Sequence, residues 1–217
     1  MDISINLINS LSGLLILTSL LVIETKKLRL SAILYGVQSL VLVLIFLALA
    51  VAMEAEQLYL CAIRAFFTKV LLVPFVLQRA NKRMGEPESP ALAVKPAVTL
   101  VMAALSIIVS FIIINQIDIK IAAEFRPALA VSIAHFFFGQ LCILTQRNLL
   151  KQVLGFCLME NGSHLTLALL AHNAPELVEI GIATDAVFGV IIMVIMVVQI
   201  YSRLNTLDSS SLNTLKG

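Results

Sequence analysis

Charge is scarce in this 217-residue sequence: Asp, Glu, Lys and Arg make up 13% of it, where a soluble domain carries about a quarter. No polar stretch is long enough to fold alone, so a soluble domain is excluded. Cysteine is nearly absent too. Cys61, Cys142 and Cys157 all fall in apolar stretches, and no two of them have the spacing of a metal or redox pair. They read as small packing residues. There is neither a Walker loop nor a dinucleotide glycine fingerprint, so the chain has no means of holding a nucleotide or an iron–sulfur cluster by itself. A net charge of only +2 gives nothing for nucleic acid to recognise. The first apolar stretch lacks a positive n-region, being preceded by Met1, Asp2 and Ile3. It is expected to be a retained span rather than a cleaved leader.

What fills the chain is apolar. Such residues make up 60% of it and the mean hydropathy is +1.02, with runs that reach the roughly 17–25 residues of a transmembrane helix. Apolar runs between polar breaks predict seven spans, at about 3–23, 28–53, 57–78, 96–116, 127–145, 148–172 and 177–201. The fold class is therefore an all-α, polytopic membrane protein, a single integral membrane domain over 1–217. Within it, 1–95 forms an N-terminal three-helix unit with a cytoplasmic loop, 96–126 a connecting helix and loop, and 127–217 a C-terminal three-helix unit. The linkers alternate in charge. Segments 24–30, 79–95 and 146–151, with the tail from 202, hold Lys26, Lys27, Arg29, Arg79, Lys82, Arg83, Lys95, Arg147, Lys151, Arg203 and Lys216. The opposite set holds Lys120 and Arg126 and is otherwise acidic, with Glu54, Glu56 and Glu176. Lys and Arg accumulate on the cytoplasmic side, which places the N-terminus outside and the C-terminus inside. The loop from Arg79 to Pro90 is an exposed linker and a candidate contact for a soluble subunit. The fourth span carries no ionisable residue and is expected to pack or face lipid.

Against this background the ionisable residues within spans stand out, because each costs roughly 2.5 kcal/mol or more at bilayer depth. At about 1.5 Å per residue, Glu160 lies roughly 18 Å from the cytoplasmic start of the sixth span, and Asp185 roughly 12 Å from the outer start of the seventh. Both are near the middle of a hydrocarbon layer about 30 Å thick. The same arithmetic puts Arg64 and Lys69 on the third span, His135 on the fifth and Gln38 on the second at that level. A lateral string of polar groups is expected in the membrane plane. Glu160 and His164 are four apart, share a helix face and are placed to hydrogen-bond or exchange a proton. Asn161 and Ser163 add donors and acceptors, and Gly162 admits a neighbouring helix. Pro74 offers no N–H to the Val70 carbonyl, so a kink is expected just beyond Lys69. Blander roles remain open. Arg64 would also serve as a structural ion-pair partner of Asp185 or Glu160, and His135 as a core histidine donating to a backbone carbonyl.

The run from Gln146 to Asn161 resembles the opening of the second helix in NuoK-type subunits of respiratory complex I, also found in MrpC-type subunits of cation/proton antiporters. Ala183-Thr-Asp-Ala-Val-Phe-Gly189 is similar to the acid-bearing third helix of those subunits, and the tail from Asn205 to Gly217 to their cytoplasmic end. This resemblance implies that Asp185 occupies their acidic position. Their second-helix glutamate aligns with Cys157, whereas the carboxylate here is Glu160, on roughly the same face and about 4.5 Å further along. A faint internal echo lays Tyr35-Gly-Val-Gln38 on Leu154-Gly-Phe-Cys157 and Arg64-Ala-Phe-Phe67 on Asp185-Ala-Val-Phe188. Over essentially its full length, including Leu158-Met-Glu-Asn-Gly-Ser-His164 and Glu179-Ile-Gly-Ile-Ala-Thr-Asp-Ala186, the chain resembles the hydrogenase-4 component E (HyfE) family.

That resemblance implies a non-catalytic membrane-arm subunit of a formate-hydrogenlyase-type [NiFe]-hydrogenase in a bacterial inner membrane. It would lie in the bilayer with antiporter-like and NuoH-like membrane subunits and a peripheral hydrogenase arm, contributing to proton translocation. No cofactor is expected in this chain; the nickel–iron site and the iron–sulfur clusters would belong to partner subunits. Candidate proton-path residues are Glu160, His164, Asp185, Lys69, Arg64, His135 and Gln38. Buried acids and bases would equally serve a multisubunit cation/proton antiporter, and a scaffold whose polar residues only fix helix packing is a third reading.

Overall fold

The computed structural model describes residues 2–90, 92–117, 123–170 and 188–214. Among them the chain forms seven longer helices, α1 (Asp2–Glu24), α2 (Leu28–Ala52), α3 (Gln57–Arg83), α4 (Pro96–Gln116), α5 (Arg126–Thr145), α6 (Leu149–Leu170) and α7 (Val190–Leu204), and two short 3-10 helices, Ala123–Phe125 and Ser209–Thr214. The first six are long and apolar enough to cross a membrane, because their backbone groups bond internally and their side chains are fit for lipid. The protein is an all-α, polytopic membrane protein. The part of the expected seventh span before 188, with Asp185, lies outside the described residues.

One helix end differs from expectation. α3 runs on through Arg83, so Arg79, Lys82 and Arg83 are helical rather than part of a loop. The linker after it is not wholly free: the Ala93 N–H donates to the Thr145 carbonyl, and Asn148 donates to the Ser89 hydroxyl. Lys151 is also not a solvated basic residue. It is 1% exposed, and its Nζ donates to the carbonyls of Val22 and Ile23 at 2.6 and 3.0 Å and to Ser31 Oγ at 2.9 Å. The last carbonyls of a helix have no partners within it and carry partial negative charge. Lys151 supplies α1 with both a donor and a cation.

The turn between α5 and α6 gathers the chain at one end of the bundle. Asn148 caps α6 by accepting from the N–H groups of Leu150 and Lys151, and it bridges antiparallel to Asp208 in the tail. The Leu149 N–H donates to the Leu207 carbonyl, and that of Ser209 to Arg147. Bonds from the Ser210 hydroxyl and backbone N–H, with Arg147 nearby, hold the Asp208 carboxyl below the usual carboxylate range.

α5 and α6 meet almost backbone to backbone. A Cβ on Gly155 would come within 2.9 Å of the Gly139 carbonyl, and one on Gly162 within 2.8 Å of the Ser132 carbonyl and into the Phe136 backbone. The close approach expected at Gly162 is therefore present. By contrast α4 buries few side chains, namely Thr99, Ala103, Ser110 and Ile114, and presents its remainder outward as expected of a lipid-facing helix.

The apolar core is divided in two. One cluster takes Leu15 of α1, Val41 of α2, Ala65 of α3, Val131 of α5 and Leu165 of α6, with the residues lying further toward one end of the bundle. The other takes Val22, Tyr35, Val73, Phe138 and Leu158 from the same five helices and everything toward the other end. On each of these five helices the buried side chains between the two clusters are mostly polar.

Candidate functional site

Between the two apolar clusters lie Ser19 of α1, Gln38 and Ser39 of α2, Lys69 of α3, His135 of α5, and Glu160, Asn161 and His164 of α6, all buried. Polar groups at this depth have no water to turn to and must satisfy one another. Six of them do so in a continuous row. Lys69 Nζ donates to Asn161 Oδ1 at 2.7 Å. Asn161 Nδ2 donates to Gln38 Oε1 at 2.9 Å, with Ser39 Oγ at 3.3 Å. The Gln38 amide nitrogen stands 3.0 Å from His135 Nε2, and His135 Nδ1 is 2.9 Å from Ser19 Oγ.

The row has a direction. Ser19 uses its own hydrogen on the Leu15 carbonyl at 2.6 Å, so its oxygen accepts from His135 Nδ1–H. A neutral imidazole protonated at Nδ1 has a lone pair on Nε2, and that lone pair accepts from Gln38. Every link then donates the same way: Lys69 to Asn161, to Gln38, to His135, to Ser19. His135 is satisfied by side chains, and the expected bond to a backbone carbonyl is not the one it makes.

Lys69 anchors the row to charge. Its ammonium is 3.3 Å from Glu160 Oε1, with Lys69 0% and Glu160 7% exposed. His164 Nδ1 stands 4.0 Å from the same carboxylate oxygen, beyond hydrogen-bond reach but within that of an ion pair. The direct partner of Glu160 is thus Lys69 across the interface, and the bond expected from its helix neighbour is not closed. Cys157 is buried among apolar residues. The carboxylate is one turn on, where the cation is.

The local cause of the lysine's placement is a π-helical stretch, Phe66–Leu72, inside α3. There the Val73 N–H reaches back to the Thr68 carbonyl, five residues away rather than four. This widened turn rotates the remainder of α3 about its axis, and such bulges recur at functional sites. The irregularity expected from Pro74 therefore takes the form of a π turn around Lys69. Gly36 on α2 makes room for it, since a Cβ there would lie 3.4 Å from both the Pro74 ring and the Val70 carbonyl.

Of the residues marked in the sequence, Gln38, Lys69, His135, Glu160 and His164 come together. Arg64 is half-buried on α3, five residues before Lys69, and its carbonyl accepts from the Thr68 hydroxyl; its suggested partner Asp185 is outside the described residues. Asn161, seen in the sequence as one more donor, is the junction between the lysine and the amides. Ser19 carries no mark in the sequence. Its only signal there is a hydroxyl in an apolar run, which is ordinary in membrane helices. Among the described residues no group of three His, Cys, Asp or Glu is gathered to hold a metal ion.

Chemically the row has two kinds of member. Lys69, Glu160, His164 and His135 are able to gain or lose a proton, while the amides of Gln38 and Asn161 keep fixed donor and acceptor ends. With an effective dielectric of about 20, charges 3.3 Å apart attract by about 5 kcal/mol. Holding each charge at bilayer depth costs roughly 2.5–3.5 kcal/mol. The two effects nearly balance, so small changes nearby decide where the proton sits.

Comparison with known proteins adds an independent line. The pattern of the family NADH-ubiquinone/plastoquinone oxidoreductase chain 4L matches residues 127–217. The chain is 48% identical to hydrogenase-4 component E of Escherichia coli K12 over 97% of its own length and 98% of the relative's, with the same values for the protein so named in Shigella flexneri. It is 23% identical to an uncharacterised protein of Mycobacterium tuberculosis, over 97% of this chain and 96% of that one. No solved structure matches it.

Proposed function

The chain belongs to the hydrogenase-4 component E family, and from that premise we propose that it is a non-catalytic membrane subunit of a hydrogenase complex that takes part in proton translocation. The observation that carries this is the buried pair of Lys69 and Glu160, 3.3 Å apart in the polar layer between two apolar halves of the bundle. Buried acids and bases alone would serve an antiporter equally well. The full-length relative at 48% identity favours the hydrogenase setting.

In this reading Glu160 and Lys69 hold and release a proton, with His164 as the next acceptor along α6. Proton exchange follows any change that weakens the pair's attraction, because charge at this depth is stable only when compensated. His135 is a second titratable group at the far end of the row. The amides of Gln38 and Asn161 link it to the lysine by orientation, since an amide does not readily pass a proton on. Asp185 and Arg64 are further candidate members of the path. The nickel–iron site and clusters belong to partner subunits, among them a peripheral arm on the cytoplasmic side and antiporter-like and NuoH-like membrane subunits. The setting is a bacterial inner membrane.

A Glu160→Gln variant tests this, because it keeps shape and hydrogen bonding but cannot ionise. The complex should assemble with unimpaired hydrogenase chemistry toward an artificial electron acceptor, while proton translocation in reconstituted vesicles falls by tenfold or more, on the order of one lost relay group. Undiminished translocation by the assembled complex would sink the proposal.

A further inference from the structure

A cleft of about 620 Å3 lies between the C-terminal half of α3 and α7. One wall carries Arg79, Lys82 and Arg83, which share a helix face at i, i+3 and i+4. The rest of the lining is mainly apolar and includes Phe75, Val194 and Ile195. None of the three cations is ion-paired to a carboxylate among the described residues, and α7 between Val190 and Leu204 contains no acid.

Depth separates the two parts of the cleft. Lys82 is thirteen residues beyond Lys69, roughly 20 Å along the axis, which is past the half-thickness of about 15 Å and so at headgroup level. Phe75 is roughly 9 Å beyond Lys69, at acyl-chain depth, and is 66% exposed. Phosphate chemistry is invited at one end and hydrocarbon at the other. We propose that this cleft is a binding site for an anionic phospholipid of the cytoplasmic leaflet, its headgroup held by Arg79, Lys82 and Arg83 and an acyl chain lying along Phe75, Val194 and Ile195. A soluble anion would leave the apolar wall unused. Juxtamembrane basic groups attract anionic lipid by roughly fivefold each, and the combination of both ends specifies lipid rather than charge alone. The site is independent of the proton-transfer reading and requires only the membrane orientation.

The chain contains no tryptophan, so a single Phe75→Trp substitution gives a reporter without background. The full chain would be reconstituted in vesicles containing brominated-acyl phosphatidylglycerol or brominated-acyl phosphatidylcholine at equal mole fraction. Quenching should report relative association of phosphatidylglycerol at least about tenfold above phosphatidylcholine. A Leu105→Trp reporter on the outward face of α4 should show no preference. Adding Arg79→Gln and Lys82→Gln to the Phe75→Trp chain should remove most of the preference. Equal quenching by the two lipids at Phe75→Trp would overturn the site. So would equal preference at both reporters, which means general enrichment, or no quenching at Phe75→Trp, which means that protein fills the cleft.

Discussion

At the scale of the single residue, Lys69 is the group on which the others depend. It neutralises Glu160 and starts the row of donors, so removing it leaves a carboxylate buried without its cation. Breaking such a pair from one side costs about 3–5 kcal/mol, whereas replacing both charges is often neutral. Lys69→Met should therefore lower the amount of folded protein recovered from membranes and its thermal stability. Combining Lys69→Met with Glu160→Gln should restore much of both. A double variant as unstable as the single one would show that Lys69 acts through something other than Glu160. Several of these residues are legible in the sequence because depth comes from counting: Lys69, Glu160, His135 and Gln38 fall at one level at a fixed rise per residue. Ser19 is not legible, because a serine costs little in a membrane helix and nothing in its neighbours hints at a partner on α5. Lys151 misleads for a related reason. A lysine next to a linker looks like a solvated topogenic charge, and only the folded chain brings the end of α1 against it.

At the scale of the element, the α5–α6 contact sets the spacing of the row, since it holds His135 and Asn161 on facing helices. Gly162 lies against the Phe136 backbone, which has nowhere to retreat, while Gly13 on α1 has nothing within 4 Å of a notional Cβ. Gly162→Ala should thus destabilise the protein by about 1–3 kcal/mol, the usual cost of overpacking. Gly13→Ala should be neutral or mildly stabilising, since alanine is the better helix former. Thermal unfolding in detergent, read side by side, separates the two; similar shifts would contradict the close approach. Gly162 stands out in the sequence, but its partner does not, because packing partners depend on how helices are arranged around one another. The π stretch in α3 is half legible. Pro74 announces a missing N–H, yet a proline says only that the ladder is broken and not that the repair adds a residue to the turn before it.

At the scale of the whole molecule, five of the helices share the buried polar layer, and α4 lies outside it. The all-α, multi-pass architecture is legible because the apolar runs are long and the breaks between them charged. Orientation rests on the distribution of Lys and Arg, and it is open to direct measurement because Cys61, Cys142 and Cys157 are all buried. In intact cells a membrane-impermeant maleimide should label Glu54→Cys, whereas Glu88→Cys should react only after permeabilisation. Both positions are exposed. The opposite pattern would invert the topology. It would also move the α3–α7 cleft to the outer leaflet.

The single direction of donation along the row has a consequence for the molecule's memory of its own charge. A proton arriving at His135 Nε2 finds the Gln38 amide offering a second hydrogen to the same place. Gln38 has to turn its oxygen there, Asn161 has to turn in answer, and the oxygen that held Lys69 is exchanged for a nitrogen. The lysine then loses Asn161 Oδ1 and keeps Glu160. Two amides that must turn together thus make the ends of the row mutually exclusive, so that what happens beside α1 is registered beside α3 with no proton travelling between them.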